Sequence, residues 1–224
     1  LKETHPIPAT MDQEEVATIF RNEGLASAPV VDEDDRLIGI ITYDDVIYVI
    51  DEEAEEDILK LAGVKEDDFY SGIFSTAGAR MRWLCVNLFT AFMAAYVISL
   101  FDHTIEKIVA LAVLTPIVAG MGGNAGTQAM TVAVRALATN EVSGANAWRV
   151  IGKETAVGLV NGMVFSGLIG LVAGTWFHDV HLGLVIGAAM MTNLIVAGFF
   201  GAGIPIILDR FKIDPAVASG VFLT

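Results

Sequence analysis

The chain has 224 residues, of which 54% are hydrophobic, a net charge of −14 and a single cysteine, a balance too apolar for an ordinary soluble domain. Its acidity argues against nucleic acid as a partner, and the lone Cys85 excludes an internal disulfide while leaving the redox compartment undefined. The charge is segregated: residues 1–80 hold 20 Asp/Glu and 6 Lys/Arg, and residues 81–224 hold 7 of each. An acidic, water-facing part therefore precedes an apolar, membrane-embedded part.

The chain opens without Met or a signal peptide and stops in an apolar run, so it reads as a piece of a longer protein. Asp12 with Glu15 three residues on is an N-terminal helix signature, followed by Val16, Ile19 and Phe20 at helical spacing. Gly24 ends that helix. Ala28-Pro29-Val30-Val31 predicts a short strand, Asp32 to Asp35 a polar turn, and Leu37 to Thr42 a second strand. Asp44 starts another helix. Thr42 and Asp45 have the residue types of a helix cap.

That second helix carries DEEAEED over residues 51–57, six carboxylates in seven positions, and Glu66, Asp67 and Asp68 follow. Such a run is ordinarily a solvated face. Beside a membrane domain it also suits a cation sensor, because a hard divalent ion relieves crowded carboxylates through oxygen ligands.

Four complete uncharged segments follow, at residues 83–101, 108–134, 155–177 and 182–208, and a fifth starts after Asp214. Each complete segment is long enough to cross a bilayer. Arg80 and Arg82, then Arg135, Arg149 and Lys153, then Arg210 and Lys212 fall on alternate loops, which places the acidic N-terminal part in the cytoplasm. In the third segment Gly158, Gly162, Ser166, Gly170 and Gly174 recur every four residues, a ladder that lets helices pack closely. Asn193 in the fourth calls for an interhelical hydrogen bond, and Pro205 predicts a kink near that helix's end.

The second segment is the unusual one. It carries Pro116, Gly120, Gly122, Gly123 and Gly126, with Asn124, Thr127 and Gln128 among them. This composition predicts a discontinuous helix that faces either protein or a water-filled path. A glycine-rich packing face and an ion path both fit. No span carries a convergent nucleophile and base, or a His pair at metal-ligand spacing, so no enzyme activity is expected.

The run Pro116-x-x-x-Gly120-x-Gly122-Gly123-Asn124-x-Gly126-x-Gln128 leads into Arg135-Ala136-Leu137-Ala138. Asp214-Pro215-Ala216-x-x-Ser219-Gly220 opens the fifth segment, and SAPVVDEDDRLIGIITYDDV near the N-terminus resembles part of a CBS domain. In this order they resemble the MgtE family of magnesium channels and transporters. The resemblance implies an α-helical polytopic membrane protein of five spans, the fifth truncated, with an N-terminal partial α/β CBS domain. Its parts are a partial CBS domain (1–50), an acidic connecting or plug helix (51–80) and a transmembrane domain (81–224).

The resemblance further implies a homodimer in the cytoplasmic (inner) membrane, its CBS part in the cytoplasm. The pore lies between protomers, lined by the second and fifth spans. Gly120, Asn124, Gly220 and Thr224 match pore-lining positions, Gly123 is grouped with them, and some members carry Asn at Gly220. The family's pore acid falls about one helical turn past Thr224. Mg²⁺ is both substrate and regulatory ligand, held in the closed state by Glu56, with Asp51, Asp57 and Asp214 as further metal positions. Thr42 and Asp45 match positions that contact an adenine nucleotide such as ATP. The other readings are a broader divalent cation (Mn²⁺/Co²⁺) transporter and a CBS-regulated membrane sensor without transport.

Overall fold

The computed structural model describes residues 6–61, 64, 71–139, 141, 142 and 146–215. The chain divides into two compact units, Leu1–Lys60 with Lys65–Phe69 and Leu61–Val64 with Tyr70–Thr224.

The first unit runs β1 (Ile7–Pro8), α1 (Gln13–Glu23), β2 (Ser27–Val31), β3 (Leu37–Thr42) and α2 (Tyr43–Leu61). Helix α1 starts because the Asp12 carboxylate accepts the Glu14 N–H at 2.9 Å, satisfying a donor that the helix itself cannot. It stops at Gly24, whose φ of 62° is left-handed and whose N–H returns to Phe20 O. Between β2 and β3 the Asp32 carboxylate takes the N–H groups of Asp34 and Arg36, each at 2.9 Å, and Asp35 adopts a φ of 58° that aspartate tolerates in turns. The sheet order is β1-β2-β3, with β1 parallel and β3 antiparallel to β2. Ile7, Val16, Ala17, Phe20, Ala28 and Val46 form the core. Strand β1 is the one element of this unit the sequence does not announce, since two residues beside Pro6 carry no readable period.

The second unit is helical: α3 (Ile73–Ser99), α4 (Asp102–Lys107), α5 (Val109–Ala138), α6 (Ala147–Trp176) and α7 (Val180–Arg210). Among the described residues α3, α5, α6 and α7 are long and apolar enough to cross a membrane. The fifth expected segment lies outside the described residues from 216 onward. At 30 residues, α5 and α6 each extend about 45 Å, more than a hydrocarbon core of about 30 Å. Their charged ends therefore reach beyond the apolar layer, and α6 takes in Arg149, Lys153 and Glu154.

Helix α7 is the hub. It is apolar on all sides, as a membrane span can be, and it packs against both α5 and α6. Ala133, Ala147, Ile151, Ala202 and Ile206 form one cluster among the three helices, and Leu114, Ala173, Leu182 and Ile186 form another. The α6 glycine ladder does the packing expected of it: a Cβ at Gly170 would stand 2.9 Å from Gly183 O of α7. In contrast, no residue of the apolar window of α3 is buried within the chain.

Helix α5 differs from the sequence expectation. It runs unbroken from Val109 to Ala138 through Pro116 and every glycine. In lipid an interrupted helix would strand N–H and C=O groups without water, and glycine admits helical angles as readily as others. Gly122 and Gly126 serve contact with α7 instead of a break, while Gly120 and Gly123 stand clear of other atoms.

Candidate functional site

Asn124, Thr127, Gln128 and Thr131 of α5 fall on one side of the helix, and Thr115 on the other. At about 100° of rotation per residue, Val118, Gly122, Gly126, Ala129 and Ala133 lie within about 40° of one line. That line faces α7. A Cβ at Gly122 would collide with the Asn193 carboxamide, 2.7 Å from its Cγ, and a Cβ at Gly201 would stand 2.6 Å from Gly126 O. Asn193 Nδ2 donates to Val118 O at 2.6 Å, so this amide bridges helices, as its place in the span implied.

On the opposite side, about 140° to 200° round, lie Gly120, Asn124, Thr127 and Thr131. Gly120 and Asn124 are exposed, as are both threonines. Thr127 Oγ1 donates to Gly123 O at 2.9 Å and Thr131 Oγ1 to Thr127 O at 2.9 Å. With their protons committed to the helix, both hydroxyl oxygens present acceptor lone pairs outward. The face thus offers carboxamide and hydroxyl oxygens, the hard donors that suit hydrated Mg²⁺ or Ca²⁺. Thr131 was not picked out from the sequence, although its place seven residues after Asn124 could have signalled it. Gly123 sits about 100° from the α7-facing line, at the flank of this face and half-buried. Gly220 and Thr224 lie outside the described residues.

The acidic positions are arranged differently. Asp51 is exposed on α2, and Glu56 pairs with Lys60 at 3.0 Å. Asp57 belongs to the same helix, but its side chain is outside the described set. Positions 51 and 56 are about 140° apart around α2, so Asp51 and Glu56 do not converge on one ion within that helix. Asp214, exposed, follows α7 in the second unit. Among the described residues no group of three or more His, Cys, Asp or Glu is arranged to hold a metal.

Thr42 and Asp45 do meet. Asp45 Oδ2 accepts the Thr42 hydroxyl at 2.6 Å and the Thr42 N–H at 2.9 Å. The hydroxyl bond first, and the backbone bond second, hold the Asp45 carboxyl below the usual carboxylate range. This is the geometry of a cap at the start of α2.

Comparison with known proteins bears on both units. Residues 115–224 match the MgtE family, described as a divalent cation transporter, and residues 2–52 match the CBS domain. The chain is 42% identical over 213 residues to "Magnesium transporter MgtE" of Enterococcus faecalis, covering 95% of this chain and 47% of that protein. It is 38% identical over 217 residues to the protein of the same name from Bacillus subtilis, covering 96% and 48%. The protein of that name from Thermus thermophilus is 38% identical over 216 residues, covering 93% and 47%. The chain spans about half the length of these relatives.

Proposed function

Because this chain belongs to the MgtE family, carrying that family's membrane domain behind a CBS domain, we propose that it moves Mg²⁺ across the cytoplasmic membrane as part of a homodimeric channel. The observation that carries this reading is the Gly120–Asn124–Thr127–Thr131 face of α5, polar, exposed and turned away from α7 in an otherwise apolar helix. Lipid is a poor neighbour for such a face, and a twofold partner or a water-filled path is a good one. Mg²⁺ sheds water reluctantly, so amide and hydroxyl oxygens act on the hydrated ion through its waters, and two protomers turn one face into a ring of donors. The uncovered apolar window of α3 is compatible with the dimer.

Gating follows from the acids of α2. Cytoplasmic Mg²⁺ is held by carboxylates, with Asp51, Glu56, Asp57 and Asp214 as the metal positions, and keeps the path shut; loss of the ion lets the carboxylates repel one another and the path open. Positions 51 and 56 lie about 140° apart around α2, so Asp51 and Glu56 take their co-ligands from outside the helix, and Glu56 leaves Lys60 to do so. Gly220 and Thr224 join Gly120, Gly123 and Asn124 along the path. The CBS part lies in the cytoplasm under the same charge asymmetry of the loops. ATP binding through Thr42 and Asp45 would require their mutual cap to open, and calorimetric titration with ATP tests it.

The full-length protein in liposomes tests the whole reading. Mg²⁺ is expected to enter above the rate of empty vesicles, and to slow as Mg²⁺ on the CBS side is raised. Equal uptake of Mn²⁺ or Co²⁺ would favour the broader transporter, and no uptake of any divalent ion would favour a sensor without transport.

A further inference from the structure

Asn193 and Gly122 form a directional contact between α7 and α5. Asn193 stands mid-way along α7, flanked on its own helix by the fully buried Met190 and Leu194. Its carboxamide occupies the space that any side chain at position 122 would need, and Nδ2 reaches Val118 O at 2.6 Å. Within α5 that carbonyl is the ordinary acceptor of the Gly122 N–H, so the Asn193 amide adds a second donor at the same turn. The turn lies between Pro116, which lacks an N–H, and Gly123, and it carries Gly120. Close packing of small residues seats α5 against α7. A directional hydrogen bond sets the register between them.

We infer that Asn193 is a positioning residue for ion passage. By bonding to Val118 O in the gap left by Gly122, it fixes the rotation of α5, so that Gly120 and Asn124 point away from α7. The inference rests on the ion path proposed above. It assigns Asn193 no contact with the ion, since its amide is spent on α5 and lies on the opposite side of that helix from Asn124.

The test compares Mg²⁺ uptake by the full-length protein and two variants in liposomes. Asn193→Leu keeps nearly the same shape without the donor and is compatible with an apolar span. Gly122→Ala with Asn193→Ala fills the gap with a methyl group in place of the amide and removes the bond. Each is expected to keep the native oligomeric size while Mg²⁺ uptake falls about tenfold, the scale of one interhelical hydrogen bond in a membrane. The ratio of Mg²⁺ to Ca²⁺ uptake is expected to shift at the same time, a change that simple loss of stability does not produce. Native Mg²⁺ uptake, or a native ratio of Mg²⁺ to Ca²⁺ uptake, in either variant that assembles would overturn the inference. Failure of both to assemble would also overturn it, making the pair a packing determinant. If the native protein itself carried no Mg²⁺, the ion path would fail instead, a separate outcome.

Discussion

Gly126 and Gly201 bring the backbones of α5 and α7 together: a Cβ on Gly201 would stand 2.6 Å from Gly126 O and 2.9 Å from Ala129 Cβ. Neither neighbour is the end of a flexible side chain, so a larger residue there must push the helices apart. Gly201→Val is therefore expected to destabilise the membrane unit by about 1–3 kcal/mol, the usual range for overpacking. A lower melting temperature in detergent checks this, and an unchanged one would show that the helices part without cost.

Gly120 and Gly123 behave oppositely, since a Cβ on either meets nothing within 4 Å. Gly120→Ala and Gly123→Leu should leave the fold of the protomer and its melting temperature unchanged. Mg²⁺ uptake is expected to fall in both, because added bulk at or beside the Asn124 face narrows the path. Loss of folding with uptake preserved per folded molecule would assign these glycines to packing.

For the acidic helix, Glu56→Gln removes one charge and the pairing with Lys60. An exposed i,i+4 pair contributes only about 0.3–0.5 kcal/mol, so α2 should persist by circular dichroism. Inhibition by Mg²⁺ on the CBS side is expected to require a higher concentration. An unaltered inhibition curve would remove Glu56 from the sensor.

The Thr42–Asp45 cap has a pH signature. Asp45 is depressed below its ordinary value of 3.8 by the Thr42 hydroxyl and then by the Thr42 N–H. Its contribution to stability is therefore present above the unfolded value, and is lost as the pH falls through the folded one. Thr42→Val removes the larger cause, so the Asp45 carboxyl is expected to titrate closer to 3.8, measurable by carboxyl-carbon NMR. No movement would show that the backbone bond alone sets the shift.

Much of this was legible in the chain. Asp12 and Gly24 bracket α1 because capping is local chemistry, and the uncharged runs located all four described spans. The span ends were not legible. Helix α3 starts at Ile73, ten residues before the uncharged run, since Arg80 and Arg82 remain helical while their long side chains reach toward water. The Pro116-to-Gly126 run suggested a broken helix, because composition cannot tell a glycine that breaks a helix from one that admits a neighbour. Asn193 was readable as an interhelical donor, but its acceptor Val118, 75 residues away, was not. Nor was the need for Gly122 opposite it, which only tertiary contact reveals. Of the candidate site, the Gly120/Asn124 side could be placed by helical periodicity. The α2 acids, in contrast, looked like one cluster in sequence and diverge around the helix.

The most direct measurement is Mg²⁺ uptake into liposomes by the full-length protein beside its Asn124→Leu variant, with oligomeric size recorded for both. Uptake by the native protein alone, at equal size, is the expected result. Equal uptake by the two would contradict passage of the ion along this face of α5.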